Sequence, residues 1–275
     1  MPTVLFLPDN NLPLFDFFFI QKAGLLSESP NNAGISSIFT ATLPGGTAKF
    51  NEEKIIELID DNAIDLSFDD GRNTIYASAT APSEAFHVFL ELLSEIFANP
   101  LFPDDVIERE KNIELNSIKS EMISPLKATA DQIAKIIYKN HPYSIGFAEK
   151  LTSIPKLSRN SLLDFYQNTF LSSSNTAIAI SGKISDKELD TFLSTFKNIN
   201  WKNKNFAEPA APLFDSTNSR KILKLPRTQS VVTFTFPACG IKSDDRRILE
   251  IASAALNGMN SSLFKRVREE NGMAY

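Results

Sequence analysis

The sequence predicts an α+β fold in which helices pack on a mainly antiparallel sheet. Strand-like and helical segments occur as hairpins and helical blocks, without the steady alternation that is typical of a parallel sheet. The clearest hairpin joins the apolar run 64–68 to the run 73–79 across a turn at 69–72. The clearest helix spans 83–97, where one face carries Phe86, Phe89, Leu90, Leu93 and Ile96.

Period, cap and turn signals predict the remaining elements of the first two hundred residues. Three further strands are expected at 3–7, 14–21 and 177–180. A helix ending at Leu43 is expected to take Asn31 or Asn32 as its N-cap. Other helices are predicted at 52–61, 103–124, 125–138, 158–170 and 187–196.

The composition changes after residue 198, where Pro209, Pro212 and several Asn and Lys residues occur with little periodicity. We therefore divide the chain into a first domain (1–200), a linker (201–219) and the start of a second domain (220–275). The last segment is about sixty residues long, which is small for an independent core. Its predicted strands are 221–225 and 230–236, and its predicted helices are 244–256 and 261–270.

Composition excludes several classes of protein. The 275 residues are 43% hydrophobic, carry a net charge of −5 and lack a concentrated basic face, so a nucleic-acid partner is not expected. No apolar run is long enough to span a membrane. A single cysteine, Cys239, excludes an internal disulfide or a cysteine zinc ribbon. The sequence does not determine the cellular compartment. The protein is expected to be periplasmic if a leader peptide was removed, and cytoplasmic otherwise.

Residues 32–47 read N-A-G-I-S-S-I-F-T-A-T-L-P-G-G-T. This segment resembles the motif helix of the pitrilysin/insulinase-type metallopeptidases, the family of the mitochondrial processing peptidase and of two-subunit bacterial peptidases. The family helix resembles G-L-A-H-F-L-E-H-M-L-F-K-G-T. Gly34, Leu43, Gly46 and Thr47 match that frame.

Three later segments resemble family landmarks in the family's order. They are Asn-Pro-Leu-Phe-Pro at 99–103 with Ile-Glu-Arg-Glu-Lys at 107–111, His-Pro-Tyr at 141–143, and the stretch 258–275. The resemblance therefore covers the whole chain. It implies a processing-peptidase-like repeat that begins within the family's first hairpin, with the second, homologous repeat cut short.

The resemblance also implies that the zinc ligands are missing. The family motif is H-x-x-E-H, with two His ligands and a Glu base, and a third Glu ligand lies on a later helix. Here the His positions are Ser37 and Ala41, the base position is Thr40, and the later ligand position is Ser117. Glu110 matches only a supporting Glu. No bound metal is expected, and zinc is expected on a partner subunit.

Two histidines could in principle rebuild a site. His87 lies on an apolar helix and is interpreted as a partly buried or boundary residue; with Glu91 it offers only two ligands, too few for catalytic zinc. His141 precedes a proline and is expected to have a structural role in a loop. No G-x-S-x-G elbow is present, and no carboxylate pair is singled out.

Arg268 and Tyr275 match an Arg and a Tyr that, in the family, face the zinc site from the second domain. The resemblance implies that both act in trans on a partner's zinc site, because a guanidinium and a phenol can donate to developing negative charge. The alternative is a surface charge at Arg268 and a packed aromatic ring at Tyr275.

Three functions remain to be compared. The first is a non-catalytic subunit that pairs with a homologous zinc-bearing chain and binds peptide or unfolded protein substrate. The second is a peptide-binding or scaffold module without any proteolytic role, in which an extended peptide adds to a free sheet edge. The third, an active peptidase by itself, is disfavoured by the missing ligands.

Overall fold

A computed structural model describes residues 2–212, 220–224, 228 and 230–274. The chain divides into two compact units, Met1–Val231 and Val232–Tyr275. The first unit contains the sheet and the hydrophobic core.

The first unit is organised by a five-stranded sheet. Its strands, in chain order, are β1 (Thr3–Pro8), β2 (Leu14–Lys22), β3 (Asp65–Asp70), β4 (Thr74–Pro82) and β5 (Thr176–Gly182). Across the sheet the order is β1-β5-β2-β4-β3, and only β1 and β5 pair in parallel. The mainly antiparallel sheet predicted from the sequence is confirmed.

The central strand β2 shows why one face of this sheet is buried. Phe15, Phe17 and Phe19 alternate along the strand and are at most 1% exposed, whereas the intervening Phe18 is 41% exposed. Successive side chains of a strand point to opposite faces, so the three phenylalanines form one apolar face. Helices cover that face, and the opposite face is more exposed.

The predicted helices of the first unit form, with boundary shifts of a few residues, and one short helix, α6, was not predicted. They are α1 (Ile35–Thr42), α2 (Glu52–Asp61), α3 (Phe86–Ala98), α4 (Asp104–Ile123), α5 (Pro125–Ile137), α6 (Phe147–Ser153), α7 (Arg159–Asn168) and α8 (Asp186–Asn198). The second unit contains α9 (Asp245–Leu256) and α10 (Ser262–Phe264), which continues as a π-helix, Lys265–Glu270.

Phenylalanine rings fill the space between the sheet and the helices. Phe97 on α3 is fully buried, and its ring centroid lies 4.9 Å from that of Phe19, 5.5 Å from Phe170 and 5.9 Å from Phe196. Edge-to-face contacts at these distances are favourable in addition to the area they bury. This cluster therefore joins β2, α3, α8 and the segment after α7.

Two predictions about strands were wrong. Asp69 and Asp70 are the last residues of β3 and not a turn, because Asp70 still pairs with Ile75 across the hairpin. The predicted strands 221–225 and 230–236 are not strands at 221–224 or 230–236, and residue 225 lies outside the described residues. A strand needs a neighbour to accept its ladder hydrogen bonds, and no described segment pairs with these residues.

The sheet ends at β3. This strand pairs with β4 on one side, and no described strand pairs with its other side. The helix α1 lies beside β3 and also packs against α4 and α7. Among the described residues, no helix is long and apolar enough to cross a membrane.

Phe97→Ala is expected to lower the free energy of unfolding by about 3–5 kcal/mol, because a large cavity would open in the ring cluster. Phe18→Ala, the matched change on the exposed face, is expected to cost about 1 kcal/mol. Urea titrations followed by the fluorescence of Trp201, whose indole contacts Phe196, measure both. Equal losses would contradict the burial difference.

Candidate functional site

The helix α1 carries the three positions at which the resemblance implies a zinc motif. Thr40 is 3% exposed, Ser37 is half-buried and Ala41 is exposed. The fourth position, Ser117, is exposed on α4, the helix that packs against α1. The fold thus brings together the two helices on which the family's ligands would lie, but it brings no ligand side chains.

The buried side of α1 is anchored by one aromatic ring. Phe39 is fully buried, and its ring centroid lies 5.5 Å from that of Phe102, 5.0 Å from Phe165 and 5.1 Å from Phe170. Its neighbour Ile38 is also buried. Packing alone therefore fixes this helix against the rest of the unit.

The hydroxyl group of Thr40 is used within its own helix. It donates to the backbone carbonyls of Ser36 and Ser37, at 3.1 Å in each case. A hydroxyl held in this way cannot act as the base that a carboxylate provides in the family motif. Ala41 has no donor atom at all.

The residues at these positions do not fit a zinc ion. Catalytic zinc takes about three protein ligands from His, Cys, Asp or Glu, and two serines and an alanine occupy the ligand positions. Among the described residues, no group of three His, Cys, Asp or Glu side chains could hold a metal ion.

The helix α4 is fixed by a buried lysine. Lys111 is 6% exposed, and its Nζ donates to the carbonyls of Pro155 and Leu157, both at 3.1 Å, and to Glu108 at 2.7 Å. This arrangement satisfies all three protons of the ammonium group. It ties α4 to the turn that follows α6.

Glu110, the match to the family's supporting Glu, has another partner here. Its Oε1 accepts from Arg109 Nε at 2.9 Å, and the other two nitrogens of Arg109 donate to Glu52 at 2.9 and 2.5 Å. These hydrogen bonds raise the pKa of Arg109. The carboxylate of Glu110 is thus part of a surface link between α4 and α2.

The N-terminus of α1 is capped by a residue that sequence reasoning missed. Glu28 is 7% exposed, and its carboxylate accepts from the backbone N–H of Gly34 at 2.8 Å and of Ser36 at 3.1 Å. The predicted cap at Asn31 or Asn32 was wrong, because Asn32 accepts from Ser29 in a preceding turn. A carboxylate six positions before the N-cap residue Gly34 matches no cap template based on spacing.

Burial raises the pKa of Glu28, although its two backbone hydrogen bonds and the charge of Lys150 oppose the shift. Burial also raises the pKa of Asp70, at the end of β3, from 3.8 to about 6. The charge of Lys150 lowers the pKa of Asp70, and the charges of Glu28 and Glu114 raise it. Lys150 Nζ lies 3.4 Å from Glu114 Oε1.

These four groups form what we call the α1-end cluster: Glu28, Asp70, Glu114 and Lys150. They come from four separate parts of the chain, so no sequence spacing could have identified them. One lysine faces three carboxylates beside the first turn of α1. The cluster thus combines three carboxylates with a single ammonium group.

The two histidines are placed differently from each other. The side chain of His87 is 70% exposed, with Nε2 3.9 Å from Glu188, so the predicted partly buried position was wrong. The adjacent Phe86 lies on the buried, apolar face of α3, whereas the side chain of His87 points to solvent. His141 is 7% exposed, burial lowers its pKa, and its Nδ1 accepts from the backbone N–H of Tyr143.

In the second unit, the side chain of Arg268 is exposed on the π-helix. Its guanidinium carbon lies 5.1 Å from the ring centroid of Phe264, a cation–π contact. Tyr275, the other predicted contributor, lies outside the described residues. The predicted joint role of these two residues stays a prediction.

Comparison with known families gives two adjacent matches. A family model described as insulinase (peptidase family M16) matches residues 19–149. A second, described as the peptidase M16 inactive domain, matches residues 156–275. Between them the two models account for nearly all of the chain.

Curated relatives and solved structures agree with those matches. An uncharacterised zinc protease of Rickettsia felis is 23% identical over 96% of this chain, and the zinc protease YmxG of Bacillus subtilis is 24% identical over 92%. The matched regions span 65% and 61% of those relatives.

A peptidase M16 inactive domain from Pseudomonas fluorescens superposes with a TM-score of 0.79 at 21% identity, covering 100% of this chain and 68% of that one. A protease from Helicobacter pylori superposes with a TM-score of 0.77 at 15% identity, covering 98% and 67%. At these identities, the structural likeness shows the fold alone.

Asp70→Asn is expected to stabilise the protein at pH 7 by about 1–3 kcal/mol, since it removes a half-buried carboxylate whose pKa is raised to about 6. A raised carboxyl pKa means that the folded state binds the proton more tightly. The stability of the parent protein should therefore fall as pH rises from about 4 to 6. The Asp70→Asn variant should lack this part of the pH dependence.

Urea denaturation of both proteins between pH 4 and 7 measures the effect. Asp69→Asn, the exposed neighbour on the same strand, is the matched control and should change the profile little. A profile of the Asp70→Asn variant parallel to that of the parent would contradict the shift.

Proposed function

This chain belongs to the pitrilysin/insulinase-type M16 family of peptidases, and we propose that it is a non-catalytic member that serves as one subunit of a heteromeric zinc peptidase. The observation that carries the proposal is the chemistry of α1 and α4. Ser37, Thr40, Ala41 and Ser117 occupy the positions of the family's ligands and base, and the Thr40 hydroxyl is bonded to its own helix.

The retained packing supports a role other than cutting peptide bonds. Phe39 and Glu28 hold α1 in place without a metal ion, and α1 still lies against α4 and the free edge strand β3. The relatives from Rickettsia and Bacillus are named zinc proteases, which supports a proteolytic setting. The zinc ion and its base are supplied by a homologous partner chain.

This chain contributes surface and hydrogen-bond donors to the shared site. Arg268 and Tyr275 act in trans, donating to the negative charge that develops on the scissile carbonyl at the partner's zinc. The exposure of Arg268 supports this role, because an exposed guanidinium is available to a second chain. Substrate peptide is held on the subunit as an extended strand.

A second function, peptide binding without proteolysis, is favoured by one specific feature. No strand of the described residues pairs with the outer side of β3, and an extended peptide could add to that edge within a single chain. Co-purification with a chain that carries an intact H-x-x-E-H motif supports the heteromeric peptidase. Peptide binding by a chain that finds no such partner supports the binding module.

Metal analysis tests the loss of the zinc site. After dialysis against zinc and then metal-free buffer, the parent chain is expected to retain far less than one zinc ion, because its positions offer no imidazole or carboxylate. The combined variant Ser37→His, Ala41→His and Ser117→Glu restores three ligands on exposed or half-buried positions and is expected to retain zinc. Stoichiometric zinc in the parent would refute the proposal, and a zinc-free variant would refute the assignment of the positions.

Arg268→Ala tests the action in trans. In the reconstituted pair, it is expected to lower kcat for peptide cleavage by at least about tenfold, since one donor to the transition state is removed. Arg266→Ala, an exposed arginine on the same π-helix, is the matched control and should leave kcat unchanged. Cleavage at the parent rate by the Arg268→Ala variant would refute the role.

A further inference from the structure

The sequence contains three dipeptides in which an Asn or Asp precedes a glycine: Asp-Gly at 70–71 and Asn-Gly at 257–258 and 271–272. Asparagine before glycine is especially prone to lose its side-chain ammonia, because no Cβ hinders the approach of the glycine nitrogen to the asparagine side chain. The attack requires a glycine N–H that is free of hydrogen bonds. At 70–71 this N–H donates to the carbonyl of Thr74 at 2.8 Å, within the β3–β4 hairpin.

The two Asn-Gly dipeptides have the same following residue, so both read Asn-Gly-Met, and their local chemistry is closely matched. The structure holds the second of them at two points. The N–H of Gly272 donates to the carbonyl of Arg268 at 3.1 Å, and the side-chain amide of Asn271 donates to the carbonyl of Arg266. Both reacting groups are thus engaged in hydrogen bonds.

The first dipeptide is open. Asn257 is exposed and directly follows the last residue of α9. The N–H of Gly258 donates to no atom of the described residues, and apart from its chain neighbours no atom lies within 4 Å of the point where a Cβ would stand. The side-chain nitrogen of Asn257 lies 3.4 Å from the hydroxyl of Ser253, at the long limit of a hydrogen bond.

We propose that Asn257 is a site of spontaneous deamidation, at which the folded chain forms isoaspartate. The nitrogen of Gly258 gives up its proton to water and forms a bond to Cγ of Asn257. The bond from Cγ to Nδ2 breaks, and ammonia leaves with a proton from water. Water then opens the cyclic imide at either of its two carbonyl carbons, which gives aspartate or isoaspartate.

The modification changes the turn between α9 and α10. Either product places a negative charge at the C-terminal end of α9, where the helix carbonyls already carry partial negative charge. Isoaspartate also adds one carbon to the main chain. The same turn contains the hydrogen bond from the N–H of Ser261 to the carbonyl of Gly258, at 3.1 Å, and it leads to the helical segment that carries Arg268.

The difference between the two dipeptides sets the size of the expected effect. The hydrogen bond of Gly272 must break before its nitrogen can attack, and the loss of one such bond corresponds to about a two- to tenfold lower rate. In the folded chain, Asn257 is therefore expected to deamidate about two- to tenfold faster than Asn271.

Peptide mapping of the full chain after long incubation at mildly alkaline pH tests the proposal. Trypsin cleaves after Arg247, Lys265 and Arg268, so the two dipeptides are released in separate peptides, 248–265 and 269–275. Mass spectrometry with fragmentation measures the replacement of NH₂ by OH and distinguishes Asn257 from Asn260. Methylation by an isoaspartyl methyltransferase identifies the isoaspartate product.

The same incubation in guanidinium chloride tests the structural cause. Unfolding removes the hydrogen bonds at 271–272, so the rates at Asn257 and Asn271 are expected to become nearly equal. Asn257→Gln is expected to abolish most of the isoaspartate of the folded chain, because glutamine must close a larger ring. Asn271→Gln is the matched control and should leave most of it.

Equal rates at Asn257 and Asn271 in the folded chain, or a faster rate at Asn271, would overturn the proposal. A preference for Asn257 that is equally large in guanidinium chloride would overturn it too, because the selection would then come from the sequence and not from the fold. Isoaspartate that persists at the parent level in the Asn257→Gln variant would place the reaction elsewhere.

Discussion

The packing of the β2 phenylalanines against the helices is the interaction on which the rest of the structure depends. Phe15, Phe17 and Phe19 are buried together against rings from α3 and α8. This contact decides which face of the sheet is covered. It therefore also leaves the alternate side chain Phe18 on the exposed face of the sheet.

Contacts of Phe39, Lys111 and Glu28 hold in place the two helices on which the resemblance places the family's zinc motif. A metal site would hold α1 and α4 together through shared ligands, but here the helices are held by Phe39 in the core and by Lys111 on backbone carbonyls. Glu28 satisfies the first N–H groups of α1, which would otherwise be buried without partners. These contacts fix both helices through groups that lie outside the positions of the family's ligands.

Two carboxyl groups near α1, those of Glu28 and Asp70, are placed where burial disfavours their charged form. Burial raises the pKa of both Glu28 and Asp70, so each carboxylate is less stable in the folded protein than in water unless a partner compensates it. Lys150 and two backbone N–H groups provide part of that compensation.

The local features of this protein follow from signals that can be read in short stretches of its sequence. Helical periods predicted α2, α3, α4 and α8, and the hairpin signal predicted β3 and β4. The resemblance placed Ser37, Thr40, Ala41 and Ser117 at the positions of the family's ligands and base, which stays a prediction. The folded chain alone shows that β5 lies between β1 and β2, that Glu28 caps α1 and that four distant residues form the α1-end cluster. It also placed His87 in solvent. The physical reason is that period, cap and turn signals act over a few residues, whereas strand order and charge clusters depend on which distant surfaces are buried together.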